Sequence, residues 1–168
     1  MKFDKITEKK LQENVAASIV TDYFKRKKLY FAGPWFDNKS SACMKYIMHT
    51  YNLVKGSCEY DVYFPCEHQY NTPSETVKAN IHQIENCDLM VAFISKKDIG
   101  TAWEIGMATM LDKPIYYIVY DKDDLRSKTN IMLCYCAKGA MEMRNWRYFL
   151  LNHDVQLYKF NDSWEGKE

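Results

Sequence analysis

The sequence has few of the residues that interrupt regular structure: its 168 residues include only six glycines and four prolines. It contains no internal repeat, low-complexity tract or interdomain linker. No run of about 18 apolar residues is present, which argues against a helix that spans a bilayer. The formal net charge of +1 argues against nucleic-acid binding, and an apolar content of 47% argues against disorder. We therefore predict one globular domain over residues 1–168, with a small molecule or another subunit as its partner.

The first residues, MKFDKITEKKLQEN, are too polar for a signal peptide, so we expect no export signal. We accordingly expect a cytoplasmic protein that does not bind membranes and whose six cysteines stay reduced. Cys66 and His68 lie close together and Cys58 lies upstream, but no CxxC or HxxxH spacing completes a tetrahedral ligand set. We predict no metal site and no cofactor.

Strand-like and helix-like segments alternate along the chain. Continuous apolar runs predict buried strands at residues 28–33, 60–64, 88–94 and 113–120. Helical periodicity predicts helices at residues 40–54, 75–87 and 101–111 between them. Parallel strands need such crossovers, so this order predicts an α/β fold of the flavodoxin or Rossmann type: a single-domain, doubly wound, mainly parallel sheet with helices on both faces. Ligands of such sheets bind beyond the carboxyl ends of the strands.

The two ends of the sequence give weaker patterns. Apolar residues recur every four positions within residues 7–27, which predicts an N-terminal helical extension over residues 1–27. Beyond residue 120 we predict a helix that starts at Asn130, another helix at 145–152 and a strand at 155–160. In the helix at 75–87 we expect Ser74 to be the cap and Val77, Ile81 and Ile84 to be buried.

Glu104 lies near the start of the helix predicted at 101–111. Thr101 and Glu104 have the spacing of a capping box, and this local interpretation stays open. However, the segment follows the carboxyl end of a buried strand, where active-site loops lie, and Asp98 precedes the helix. A helix amino terminus also favours an ionised carboxylate, so we expect Glu104 to be charged and able to act as a nucleophile.

Three motifs together resemble the nucleoside 2-deoxyribosyltransferase family: YFAGPWF, IENCDLMVAFIS and DIGTAWEIGMATMLDKPI. Their order and spacing extend the resemblance over about residues 29–139. The resemblance implies that Glu104 attacks C1′ of a 2′-deoxynucleoside, which releases the base and leaves a covalent deoxyribosyl enzyme. A second base then takes the sugar. Retaining glycosidases use the same two-step route through a carboxylate.

The resemblance also implies roles around this nucleophile. Tyr30 would orient Glu104 with its hydroxyl, and Asp98 would hold the sugar hydroxyls or the base. Trp35 and Phe36 would stack on the base, in a loop that Gly33 shapes. Each residue also has a structural interpretation: Tyr30 as a strand aromatic, Asp98 as a helix-flanking residue and the loop aromatics as packing residues.

Two further segments resemble parts of the family pattern. TNIM, with Asn130 and Met132, resembles the segment that a neighbouring subunit inserts, which implies a homo-oligomer with a shared active site. Asn130 also fits a helix N-cap. Asn80 aligns with an aspartate that protonates the leaving base in some relatives. Asparagine cannot donate an acidic proton, so the proton would come from Asp98, water or another group.

We therefore expect an enzyme of nucleotide metabolism and salvage that transfers 2-deoxyribose from 2′-deoxynucleosides to free nucleobases. One alternative is an N-glycosidase that uses Glu104 to hydrolyse 2′-deoxynucleosides or their monophosphates. The sequence GPWFDNKSS after the first strand offers few phosphate-binding groups, which argues against monophosphates. The other alternative is a protein that binds nucleosides without turnover.

Overall fold

The structure is a computed structural model that describes residues 26–35, 41–68, 70–94, 98–120 and 131–159. Residues 1–25 of the predicted N-terminal extension lie outside the described residues, as do Phe36 and Asn130. The single domain over residues 1–168 therefore stays a prediction for the whole chain. None of the described helices combines the length and hydrophobicity that a bilayer crossing requires.

Five strands form one sheet in the order β2-β1-β3-β4-β5, and every neighbouring pair is parallel. The strands are β1 (Lys27–Ala32), β2 (Tyr60–Tyr63), β3 (Leu89–Phe93), β4 (Ile115–Val119) and β5 (Gly139–Glu142). Lys27 thus belongs to the first strand and not to the predicted extension. The parallel α/β fold is confirmed. The chain leaves β1 towards β2 on one side and reaches β3 on the other, so β1 and β3 flank the point where the strand order reverses.

Helices cover both faces of the sheet. They are α1 (Ser41–Val54), α2 (Pro73–Asn86), α3 (Ile99–Met110), α4 (Ile131–Cys134) and α5 (Trp146–Leu150). Side chains alternate along a strand, so Leu29 and Phe31 pack towards α1 and α5, whereas Tyr30 and Ala32 pack towards α2 and α3. The face that carries Tyr30 is therefore the face that α3 covers.

Aromatic side chains dominate the core on the α1 and α5 side. Phe31 makes edge contacts with Trp146 at 5.5 Å between ring centroids, and its ring lies 5.5 Å from that of Phe64. The Trp146 indole N–H donates a hydrogen bond of 3.1 Å to the carbonyl oxygen of Ile47, which ties α5 to α1. These contacts bury large apolar rings and satisfy the one polar group among them.

The last strand of the sheet was not predicted. The predicted strand at 155–160 is wrong, because within the described residues this segment makes only an isolated antiparallel bridge between Tyr158 and Ala140. The real strand, β5, has the sequence GAME, whose small residues have little intrinsic preference for a strand. Pairing with β4 along one edge creates this strand, and local sequence does not encode that pairing.

The start of α2 also differs from the prediction. Thr72, and not Ser74, caps the helix: its hydroxyl oxygen accepts from the Glu75 amide at 3.2 Å, and the Glu75 carboxylate accepts from the Thr72 amide at 3.0 Å. Of the predicted apolar stripe only Ile84 is buried, whereas Val77 is exposed. The helix therefore packs on the sheet through its C-terminal part.

Two isoleucines of α3 provide a matched test of this packing. Ile105 is 0% exposed and Ile99 is 87% exposed. We expect Ile105→Ala to lower the free energy of unfolding by about 2–5 kcal/mol, because it leaves a cavity between α3 and the sheet. Ile99→Ala should change it by less than about 0.5 kcal/mol. Urea unfolding of both variants measures the two values, and equal losses would contradict the orientation of α3.

Candidate active site

The candidate site lies at the carboxyl edge of the sheet, at the point where the strand order reverses. Tyr30 is in the second half of β1, and Glu104 is in the second turn of α3, the helix that follows β3. Their positions are 74 residues apart in sequence, and the fold brings them into contact. This edge is where ligands bind in open parallel sheets.

A short hydrogen bond joins the two side chains. The Tyr30 hydroxyl donates to Glu104 Oε1 at 2.6 Å, a length typical of a charge-assisted bond between a hydroxyl and a carboxylate. Tyr30 is 0% exposed and Glu104 is 9% exposed. The sheet and α3 thus hold a carboxylate in one orientation with little access to bulk water.

Burial controls the proton affinity of this pair. The pKa of Glu104 is raised to about 7 by three effects together. Desolvation is the largest and raises it, the hydrogen bond from Tyr30 lowers it, and the charge of Asp98 raises it. The expectation that the helix amino terminus would keep Glu104 readily ionised is not met, because burial raises its pKa by more than the hydrogen bond from Tyr30 lowers it. Burial and the charge of Glu104 also raise the pKa of Tyr30 well above its ordinary value, so Tyr30 stays the proton donor.

The capping-box interpretation of Glu104 does not hold. Asp98 is the N-cap of α3, and its Oδ2 accepts hydrogen bonds from the amide of Thr101 at 2.6 Å and from its hydroxyl at 2.7 Å. Glu104 directs Oε1 to Tyr30 instead. Asp98 therefore has the structural role of a cap, and it is also close enough for its charge to act on Glu104.

A second group of polar side chains lies beside Tyr30. Tyr63, at the end of β2, is the register partner of Tyr30, and the two rings stack at 5.6 Å between centroids. The Tyr63 hydroxyl lies 3.5 Å from Asn80 Oδ1 and 3.1 Å from the Tyr70 hydroxyl. The imidazole of His68 stacks on the Tyr63 ring, with 4.3 Å between the ring centroids and 8° between the ring planes. We call these four residues, Tyr63, His68, Tyr70 and Asn80, the β2 cluster.

Of the β2 cluster, only Asn80 was among the predicted substrate-site residues; Tyr63, His68 and Tyr70 were not. The sequence YDVYF contained a signal for Tyr63. This tyrosine is the second-last residue of the predicted strand, and a polar aromatic at the carboxyl end of a parallel strand is a candidate for ligand binding. Burial and the hydrogen bond to Tyr70 raise the pKa of Tyr63. Its hydroxyl therefore stays protonated and binds its neighbours as a neutral group.

The first-loop residues of the predicted site that the structure describes, Gly33 and Trp35, pack against the protein core. Gly33 is buried, and a Cβ there would come within 2.9 Å of Met44 Sδ, so α1 approaches the loop at this point. Trp35 packs edge-on against Phe31 and Phe64, on the sheet face opposite Tyr30. Its indole Nε1 is buried without a hydrogen-bond partner among the described residues. The structure thus brings Gly33 and Trp35 against α1 and the aromatic core.

Met132 lies in the short helix α4 and is 74% exposed.

Across the described parts of the chain there is no group of three or more histidine, cysteine, aspartate or glutamate side chains arranged to hold a metal. A cleft of about 500 Å³ lies at the amino ends of the strands, where Lys27, Leu89 and Pro114 line it. That cleft contains none of the predicted site residues, so the carboxyl edge remains the candidate site.

Comparisons with known proteins agree with the fold and with the motifs. The sequence profile of the nucleoside 2-deoxyribosyltransferase family matches residues 29–156. A 2-deoxyribosyltransferase from Bacillus psychrosaccharolyticus has 20% identity and a TM-score of 0.61, over 80% of this chain and 99% of that chain. A CMP N-glycosidase from Clostridium botulinum has 17% identity and a TM-score of 0.52, over 75% and 97%. A search of curated proteins finds no significant match.

The raised pKa of Glu104 predicts a dependence of stability on pH. Its ordinary value of 4.5 rises to about 7 in the folded state, so the folded protein loses stability as the pH rises through this interval. Glu104→Gln cannot ionise and keeps an oxygen for Tyr30. Between about pH 4 and about pH 8, we expect its free energy of unfolding to increase relative to the wild type by up to about 3 kcal/mol. Urea unfolding across this range measures the difference, and a difference that does not change with pH would contradict the buried carboxylate.

Proposed function

Since the chain belongs to the nucleoside 2-deoxyribosyltransferase family, we propose that it transfers 2-deoxyribose between nucleobases through a covalent deoxyribosyl group on Glu104. The observation that carries this proposal is the hydrogen bond of 2.6 Å between Tyr30 and Glu104 at the carboxyl edge of the sheet. It combines a nucleophile, an orienting group and the place where parallel sheets bind ligands.

Each part of the pair has a role in the proposed reaction. A Glu104 carboxylate oxygen attacks C1′ of a 2′-deoxynucleoside while the C1′–N bond breaks and its electron pair leaves with the base. The Tyr30 hydroxyl fixes the orientation of the carboxylate, so the side chain loses little rotational freedom when the substrate binds. A nitrogen of a second base then attacks C1′ and returns the carboxylate to Glu104. Asp98, which acts on Glu104 across the site, is proposed to hold the sugar hydroxyls.

The remaining substrate contacts are proposals from the family resemblance. Gly33 would let the first loop approach the site, and Phe36 would close it over the base, whereas Trp35 is already packed in the aromatic core of the opposite face. Asn80 would bind the base, and its contact with the Tyr63 hydroxyl supports a fixed position for its amide. No metal or other cofactor takes part in the proposed chemistry.

A second copy of the chain is proposed to complete the site, with Asn130 and Met132 as its contribution. An exposed apolar stripe on α3 supports this assembly: Ile99, Trp103 and Met110 are exposed on the helix that carries Glu104. Contiguous exposed apolar surface is typical of a protein interface. Met132 is also exposed and thus accessible to a neighbouring subunit. The proposed setting is nucleoside salvage in the cytoplasm.

Loss of the nucleophile tests the reaction directly. We expect Glu104→Ala to remain folded and to lose base release by a factor of at least about 10³, because no other carboxylate takes its place on Tyr30. Glu85→Ala, which changes an exposed glutamate of α2, is the matched control and should keep wild-type activity. The assay follows thymidine with and without adenine by chromatography.

The products of this assay also separate the alternatives. Deoxyadenosine formation supports transfer, whereas free deoxyribose without deoxyadenosine supports hydrolysis by the same residue. Thymidine binding without any released base supports a binding protein. Base release that survives in Glu104→Ala would refute Glu104 as the nucleophile.

A shared site predicts complementation between two inactive variants. Glu104→Ala and Asn130→Ala each disable every site of their own oligomer. In a mixed oligomer, Glu104 of one subunit meets Asn130 of the other, and some sites are intact. We expect activity to return when the two variants are unfolded together and refolded as a mixture, but not when each is refolded alone. If the mixture stays inactive although mixed oligomers form, the site is not shared between subunits.

A further inference from the structure

The proposed reaction needs a proton that the nucleophile does not supply. When the C1′–N bond breaks, the bonding electron pair stays on the base, which then leaves as an anion unless an acid protonates it. General acids at such positions typically contribute about 10²–10⁴-fold to the rate. Asn80 has no acidic proton. Another group near Asn80 must therefore supply the proton if the base leaves in neutral form.

The groups in contact with Glu104 are poorly suited to this task. Tyr30 holds its proton tightly, because burial and the charge of Glu104 raise its pKa. Asp98 uses Oδ2 to cap α3 through two hydrogen bonds to Thr101. Tyr63 is protonated but also has a raised pKa, which makes it a weak acid. The acid must also stand away from C1′ by the width of the base, and not beside the carboxylate.

His68 lies at such a position. Its ring stacks on Tyr63 at 4.3 Å, and the Tyr63 ring in turn stacks on Tyr30 at 5.6 Å. The Tyr63 hydroxyl contacts Asn80 Oδ1. Tyr63 therefore touches both the His68 ring and the Asn80 side chain, which has no acidic proton. A short 3-10 turn, Pro65–Glu67, fixes the backbone before His68, whose amide donates to the Pro65 carbonyl oxygen. Histidine is the side chain that most readily exchanges a proton near neutral pH.

We propose that His68 is the general acid that protonates the departing base, an inference that rests on the proposed function. In the first step, Glu104 forms a bond to C1′, the C1′–N bond breaks, and its electron pair goes to the base. The imidazolium of His68 gives its proton to the base and becomes neutral imidazole. In the second step the neutral imidazole takes the proton from the incoming base, whose nitrogen bonds to C1′ as the bond to Glu104 breaks. The cycle returns both residues to their first state.

The surroundings of His68 fit this exchange. The imidazole is exposed, so a bound base can reach it from solvent. Its ring neighbours are Tyr63 and Tyr70, and the acidic residue beside it in sequence is Glu67. Glu104 acts electrostatically on Tyr63 from α3. The β2 cluster thus separates the acid from the nucleophile by the ring of Tyr63.

The test compares substrates that differ only in how much their base needs a proton. Thymidine and 2′-deoxyguanosine need protonation, whereas 5-fluoro-2′-deoxyuridine releases a more stable anion and 7-methyl-2′-deoxyguanosine releases a neutral base. For whichever base class the wild type accepts, His68→Gln should slow the demanding substrate by at least about 10²-fold and the activated one by much less. His82→Gln, on the exposed side of α2, is the matched control and should slow neither.

Each outcome decides between the possibilities. A selective loss on the demanding substrate supports His68 as the acid, because a purely structural role would slow both substrates by the same factor. Equal losses, or no loss, would refute the acid role while the proposed function stands. Unfolding temperatures of His68→Gln and wild type exclude a folding defect as the cause of a selective loss. Absence of base release by the wild type from all four substrates would instead refute the proposed function itself.

Discussion

The hydrogen bond between Tyr30 and Glu104 is the interaction on which the candidate site depends. It joins a central strand to the helix that follows the neighbouring strand, and both side chains are buried. A buried carboxylate is unfavourable unless it is bonded, and here one strong donor holds it in place. Burial still keeps its pKa at about 7, so at neutral pH the carboxylate is divided between its protonated and ionised forms. The fold thus loses stability as the pH rises, because it holds a poorly solvated carboxylate.

The topology of the sheet explains why these residues meet. The strand order reverses around β1, and ligands of open parallel sheets bind at the carboxyl edge at such a point. Tyr30 points to the face that α3 covers, and Asp98 caps that helix at the same edge of the sheet. Tyr63 continues the same row of side chains onto β2. In the proposed reaction, a nucleoside bound at this edge has the carboxylate at its sugar and the β2 cluster at its base.

Much of this architecture could be predicted from the sequence, because long apolar runs and helical periodicity are local signals. The four strands β1 to β4 and the helices between them follow from such runs. Strand β5 could not be predicted, because its residues GAME become a strand only through pairing with β4. The candidate site likewise has features that the sequence predicts and features that it does not. Motifs identified Tyr30, Asp98 and Glu104 as candidates, but the burial of Glu104 and its hydrogen bond to Tyr30 depend on a contact between segments 74 residues apart. The cap at Asp98 and the stack of His68 on Tyr63 are local contacts, but several side-chain arrangements fit the same local pattern.

The central claim is that the Glu104 carboxylate forms a covalent bond with C1′ of the sugar. The most direct measurement is mass spectrometry of the protein after it is mixed with a 2′-deoxynucleoside in the absence of an acceptor base, followed by peptide mapping. The account predicts a deoxyribosyl adduct on the peptide that contains Glu104, which disappears when an acceptor base is added. Base release at a normal rate with no adduct, or with an adduct on a different residue, would contradict it.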